Sequence, residues 1–324
     1  MRVPLLIALM GACQHPQETA PLGEMVAIPA GTVQLGPRNL PPVPGFSPGV
    51  PTGVTADHGE GDQNRAPGAP PADRPPAPPA MAKTSWEAAT GMRLQPRVVS
   101  VQGFWIDRTE VTRADYQAFL LDTGYRPPHV SEAWAAEGWN WEGTAFPAGT
   151  GDHPVVLVSW YDAVEYCAWA GKRLPTEAEW QLAALGSAEA GRVYPWGSDY
   201  QGDRLNHGTI DAPNFDDSDG FETTAPAGSF PQGQTPEGVQ DLFGNAWEFT
   251  ADFRRDQWSM YVDASGGTLM NGVVSEGVHA PGPGMYVVVR GGSYFFDLRP
   301  NPGGERHQFL PEIRRKTSGF RCVR

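Results

Sequence analysis

The sequence predicts an α+β fold with little regular secondary structure, on three observations. Glycine (39) and proline (33) make up more than a fifth of the 324 residues, against roughly 12 per cent in an average protein. That share opposes a helical bundle or coiled coil. Apolar residues still amount to 40%, with 11 Trp, so a core exists and disorder throughout is excluded. The third observation is positional: helix-start signals are confined to residues 112–185, and afterwards short apolar pieces alternate with Gly, Pro, Asp and Asn.

Taken in order, the chain opens with Arg2, an apolar run from Val3 to Met10, and then Gly11, Ala12 and Cys13. This pattern resembles a bacterial lipoprotein signal over residues 1–13, in which Cys13 receives the lipid. The alternative is a buried N-terminal strand. Met25 to Gly36 alternates apolar and polar residues around Pro29-Ala-Gly31 and reads as a hairpin. Residues 37–95 read as a Pro/Gly-rich insertion: Pro37 to Ala82 holds 13 Pro, 6 Gly and a single aromatic, Phe46, while every Trp lies at or after Trp86. A strand is predicted over Val98 to Asp107.

Three helices follow. Thr112 caps the first, with Tyr116, Phe119 and Leu120 on one face. Ser159 and Asp162 open a second that ends at Gly171. Thr176 and Glu179 form a capping box for a third, running to Leu185. Tyr286 to Arg290 and Gly319 to Val323 read as strands.

The formal charge of −13, with only 24 Lys plus Arg, leaves no electrostatic footprint for a phosphate backbone, so nucleic acid is not an expected partner. No apolar run of about 18 residues follows the first dozen positions, and membrane contact is expected through a lipid anchor alone. Of three cysteines, lipidation of Cys13 leaves Cys167 and Cys322 as an even pair in an exported, oxidising setting. A disulfide is the natural inference; two separate buried thiols are the alternative.

Several segments together carry a family resemblance. They are Met25-Val-Ala-Ile-Pro-Ala-Gly-Thr, Phe104-Trp-Ile-Asp-Arg-Thr-Glu-Val-Thr, His153-Pro-Val-Val-Leu-Val-Ser-Trp, Trp169-Ala-Gly-Lys-Arg-Leu-Pro-Thr-Glu-Ala-Glu-Trp, Tyr194-Pro-Trp-Gly, Gly244-Asn-Ala-Trp-Glu, Arg290-Gly-Gly-Ser-Tyr and Gly319-Phe-Arg-Cys. In this order they resemble the sulfatase-modifying-factor family. That family includes formylglycine-generating enzymes, the C-terminal domain of ergothioneine-synthesis sulfoxide synthases and pyoverdine-maturation proteins. The resemblance covers about residues 24–36 and 96–324, and the domain is expected to start within 14–36 and to have its main body in 96–324. It implies a modified C-type-lectin-like (formylglycine-generating-enzyme) fold, with Cys167 and Cys322 at the family's disulfide positions.

The resemblance also sets chemical expectations. Formylglycine generation uses a copper(I)-binding cysteine pair, and soft thiolates suit that ion. The matching positions are Phe296 and Asn301, neither able to supply a thiolate, so no copper is expected. The seven His (15, 58, 129, 153, 207, 279, 307) lack His-x-His or His-Glu-x-x-His spacing, and none suggests an iron or zinc centre. Calcium survives as a structural cofactor. One implied set is Asn206, the His207 carbonyl, Asp219 and the Phe221 carbonyl; a second is Asp241, the carbonyls of Gly244 and Ala246, and Glu248. Hard cations take such oxygen sets, although the Asp211–Phe221 stretch is not an EF-hand, and Asp216 and Asp217 read as solvated.

Trp247 and Ser293 match the family pocket, with Tyr294, Phe296, Arg299 and Asn301 as neighbours. The expectation is an exported protein, anchored in the cell envelope on the periplasmic side or secreted, that binds a peptide, protein or small molecule through this pocket or runs altered chemistry there. The rivals are a formylglycine-generating oxidoreductase acting on a sulfatase cysteine and a lectin-like surface scaffold.

Overall fold

Two long antiparallel strands, each broken once, form the first unit. The computed structural model describes residues 23–35, 97–136, 138–208, 217–254, 285–296, 298 and 306–324. β1 (Met25–Ile28) pairs with β4 (Phe104–Asp107), and β2 (Gly31–Leu35) with β3 (Arg97–Val101). The register is continuous across both pairs: Ile28 faces Phe104 and Gly31 faces Val101. The hairpin expected around Pro29–Gly31 is therefore corrected. Proline lacks the ladder N–H, so Pro29 interrupts one strand of a bent ribbon instead of turning it back on itself. The single strand expected over Val98 to Asp107 is likewise split, at Gln102–Gly103.

The three helices start where the capping signals place them. α1 (Arg113–Thr123), α2 (Trp160–Trp169) and α3 (Glu177–Leu185) each carry a complete capping box, from Thr112/Asp115, Ser159/Asp162 and Thr176/Glu179. Tyr116, Phe119 and Leu120 of α1 are buried and join Tyr166 of α2 and Phe320 in an aromatic cluster.

α3 differs in kind, because every residue of it is buried. It packs between the ribbon, through β2 and β3, and a four-stranded sheet, through β5 (Trp247–Arg254) and β6 (Tyr286–Arg290). A helix enclosed on all sides must satisfy its polar residues internally. Glu177 pairs with Arg290 and Arg306, Glu179 with Arg173, and Gln181 donates to the Gln34 carbonyl at 2.7 Å.

The sheet has the order β7–β6–β5–β8: β7 (Arg306–Phe309), β6 (Tyr286–Arg290), β5 (Trp247–Arg254) and β8 (Ser318–Gly319). β8 runs parallel to β5 and the other neighbours are antiparallel. A bulge between Phe249 and Phe253 shifts the β5/β6 register. The strand expected from Gly319 to Val323 survives only as Ser318–Gly319. Beyond it the chain leaves the sheet and is gripped singly: Val323 exchanges hydrogen bonds with Arg173, and the Cys322 carbonyl accepts from Asp107 at 2.9 Å. Cys322 is bonded to Cys167 of α2, which ties this segment to the helical layer. No α-helix occurs after Leu185 among the described residues.

Candidate functional site

The centre of the molecule is organised by Asn245, which lies in a left-handed conformation (φ 56°) between Gly244 and Ala246. Asparagine tolerates this region better than most residues. Its side-chain amide donates to Glu110 Oε1 at 3.0 Å and to the Ala225 carbonyl at 3.3 Å, and its oxygen accepts from Ala225 N and Asn206 Nδ2. Its carbonyl receives Tyr294 N at 3.0 Å. Gly244 (φ 85°) is needed beside it, since a Cβ there would stand 2.0 Å from the Asn206 carbonyl oxygen. One short segment thus joins the Asn206 loop, the Tyr294 loop and the Glu110 turn.

On one face of β5, Trp247 is fully buried. Its ring meets Phe296 (5.4 Å), His307 (5.8 Å) and Phe309 (6.1 Å) edge to face, a favourable aromatic geometry. The indole N–H of Trp247 is buried and unpartnered among the described residues. His307 Nδ1 lies 2.7 Å from the Gln308 backbone N and 3.0 Å from the Gln308 carbonyl oxygen. Ser293 and Tyr294 are buried alongside. Trp247, Ser293, Tyr294 and Phe296 are therefore brought together, whereas Arg299 and Asn301 lie outside the described residues, as do Cys13, the 1–13 segment and the stretch expected as an insertion.

The opposite face of β5 presents Glu248. Its carboxylate accepts from Trp180 Nε1 at 2.7 Å and pairs in a two-pronged fashion with Arg321, which donates at 2.8 Å and 2.7 Å. Arg321 also donates to the carbonyls of Asp107, Arg108 and Gln240. Beside this pair sit Asp241 and Glu110. Burial raises Asp241 to about 6 against the partial relief of the Gly228 N–H, and burial, reinforced by the Asp241 charge, raises Glu110 well above its ordinary range. Three buried carboxyls thus stand about one guanidinium.

The two implied calcium sets fare differently as cation cradles. In the first, Asp219 accepts from His207 N (2.7 Å) and Phe221 N (2.9 Å), which draws the loop around it. Asn206 Oδ1 is buried with no hydrogen-bond donor, as a ligand oxygen requires. These residues fit a hard cation. In the second, the Glu248 carboxylate is already neutralised by Arg321, and Asp241 is turned to Gly228 N at 2.5 Å; that arrangement does not fit one. No group of three His, Cys, Asp or Glu side chains poised for a metal occurs among the described residues.

Sequence reasoning missed Glu110, Asn245 and Arg321 as the connecting residues. Each lay inside a quoted motif, but nothing in spacing alone distinguishes a buried hub from a core position. It also missed Arg113, the first residue of α1, whose guanidinium is buried.

Comparison with known proteins adds the following. The family described as "Sulfatase-modifying factor enzyme 1-like domain" matches residues 12–324. The formylglycine-generating enzyme of Mus musculus is 33% identical over 268 residues, covering 70% of this chain and 67% of that protein. A Mus musculus protein named inactive C-alpha-formylglycine-generating enzyme 2 is 38% identical over 186 residues, covering 48% of this chain and 60% of that protein. Among solved structures, PvdO from Pseudomonas aeruginosa matches with a TM-score of 0.56 at 22% identity, covering 93% of this chain and 94% of the other. That likeness shows a shared fold.

Proposed function

The chain belongs to the sulfatase-modifying factor enzyme 1-like family, and from that membership we propose that it is an exported binding protein built on the formylglycine-generating-enzyme fold, without the copper and cysteine oxidase centre. One observation carries the reading. The chain has three cysteines, and two of them, Cys167 and Cys322, are joined in a disulfide that fastens the fold. The third is Cys13, in the apolar leader. No thiol is left for a paired thiolate centre beside Ser293, where Phe296 stands in aromatic contact with Trp247.

The Trp247 cluster has the composition of a binding site. Aromatic rings and a few fixed polar groups are the usual lining of a ligand site, and the unmet Trp247 indole N–H gives such a ligand a donor. A peptide, protein or small molecule is the expected occupant; nucleic acid is opposed by the charge of −13. Residues 1–13, with Cys13 as lipid acceptor, supply the export signal and anchor to the envelope in this reading. Calcium is assigned a structural role at Asn206, His207, Asp219 and Phe221, where it would tie the Asn206–His207 segment of chain to the Asp219–Phe221 turn.

The experiment is mass spectrometry of a Cys-x-Pro-x-Arg sulfatase-type peptide incubated with protein, copper and oxygen under mild reductant. An unchanged cysteine is expected. Conversion of the thiol side chain to an aldehyde overturns the reading in favour of formylglycine generation. Recovery of a glycan or protein partner from envelope extract, with mutants of Trp247 binding as wild type, would move the function to a surface scaffold.

A further inference from the structure

Arg113 is the first residue of α1 and 3% exposed. A guanidinium carries five N–H donors, yet among the described residues this one makes a single hydrogen bond, from Nη1 to Thr150 Oγ1 at 2.6 Å. Its Nε–H is buried and unpartnered, and no described carboxylate pairs with it. Among the described residues, Arg290 and Arg306 pair with Glu177, Arg321 with Glu248 and Lys172 with Asp107.

The position worsens the imbalance. A positive side chain in the first helical turn opposes the helix dipole, and burial alone pushes Arg113 down to about 10, relieved only by neighbouring Tyr294. The first backbone N–H groups of α1 are already engaged, Arg113 N by the His153 carbonyl and Ala114 N by the Gly151 carbonyl. The unmet donors therefore belong to the side chain. They sit beneath the face of Trp139, 5.9 Å from its ring centroid, while Lys316 lies 5.7 Å from the same ring. Trp139, Thr150 and His153 beside it are only half-buried, so the buried group lies close beneath the surface.

We propose that Arg113, Trp139 and Tyr294 form a binding site for the carboxylate of a small organic ligand. A planar guanidinium matches a carboxylate through two parallel hydrogen bonds, and one buried positive charge is neutralised by one monoanion. A highly charged polyanion is disfavoured by the net charge of −13. The inference rests on the binding-protein reading above and names the ligand chemistry, because Tyr294 follows Ser293 in the same pocket loop.

The test follows arginine Nε–H resonances of uniformly ¹⁵N-labelled, disulfide-intact protein. Acetate and benzoate are titrated at constant ionic strength, with inorganic phosphate and sulfate as separate arms. One resonance, absent from Arg113→Met, moves saturably with the carboxylates; followed through the indole N–H of Trp139, which every variant retains, Arg113→Lys weakens their binding by about tenfold or more. The inference is overturned if no resonance saturates with either carboxylate, if a saturable shift persists in Arg113→Met, or if phosphate and sulfate bind as well as the carboxylates. Should Arg113→Met not fold, the Arg113→Lys titration decides alone. The two readings fail separately: peptide conversion sinks the binding-protein assignment, whereas a silent resonance without conversion sinks the carboxylate site.

Discussion

Arg321 and Glu248 form an ion pair with no solvent exposure on either side chain, joined by two hydrogen bonds of 2.7 Å and 2.8 Å. Taking two charges out of water costs energy that good geometry repays only while both partners remain. Arg321→Met should therefore destabilise the protein by about 3–5 kcal/mol. Arg321→Met with Glu248→Gln should recover part of that loss, since the orphaned charge is gone. Urea unfolding of the disulfide-intact proteins measures both; a double variant no better than the single one would count against pairing as the cause.

The Cys167–Cys322 bond closes a separation of 155 residues. On the chain-entropy formula, closing a loop of that size stabilises by up to about 5 kcal/mol, through restriction of the unfolded chain. Replacement of both cysteines by serine should lower the melting temperature steeply and loosen the segment after Gly319 first. Hydrogen exchange reads the second effect: early exchange at the backbone amides of position 322 and Val323 is expected, and uniform loss of protection would contradict it.

His153 gives a pH dependence with a definite sign. Burial, and then the Arg113 charge, lower its ring from the ordinary value. The unfolded chain therefore takes up a proton at a pH where the folded protein remains neutral. The associated stability is complete above about pH 6.5 and is lost as pH falls through the depressed folded value. His153→Gln retains a polar partner for Thr224 and removes the titration. Urea midpoints at pH 7.5 and 5.5, both chosen to bracket about pH 6.5, should separate less in the variant than in the wild type.

Calcium removal tests the Asn206 cradle. Chelation should lower the melting temperature, because a ligand bound only by the folded state stabilises it by mass action. Asp219→Asn should abolish the calcium response while leaving the Cys167–Cys322 disulfide formed. An equal chelator effect in wild type and Asp219→Asn would place the ion elsewhere.

Much of the fold was legible because it is written locally. Thr112, Ser159 and Thr176 each announce a helix with an acidic residue three positions on, and all three boxes form. The strands were harder to read. Pro29 suggests a turn in sequence, but the partner of β1 is β4, some eighty positions away, and no local rule reports a pairing at that range. β5 and β7 were missed for a related reason. Trp247 and Glu248 belong to different faces of one strand, and Arg306 is drawn in by Glu177 of α3; both depend on tertiary neighbours. At the site, motif order singled out Trp247, Ser293 and Asp219 as candidates. It could not show that Glu248 would be committed to Arg321, or that Arg113 would be buried without an acid.

Leu35 and Arg97 stand opposite each other at the open end of the bent ribbon. The long stretch of sequence between them therefore departs from and returns to neighbouring points. Where two strand ends stand this close, the entropy of joining them depends only weakly on how many residues do so, each doubling adding about 0.6 kcal/mol. The ribbon end behaves as a cloning site in the fold, a place where evolution or an engineer can exchange one cassette for another while the aromatic and ionic interior is left as it was.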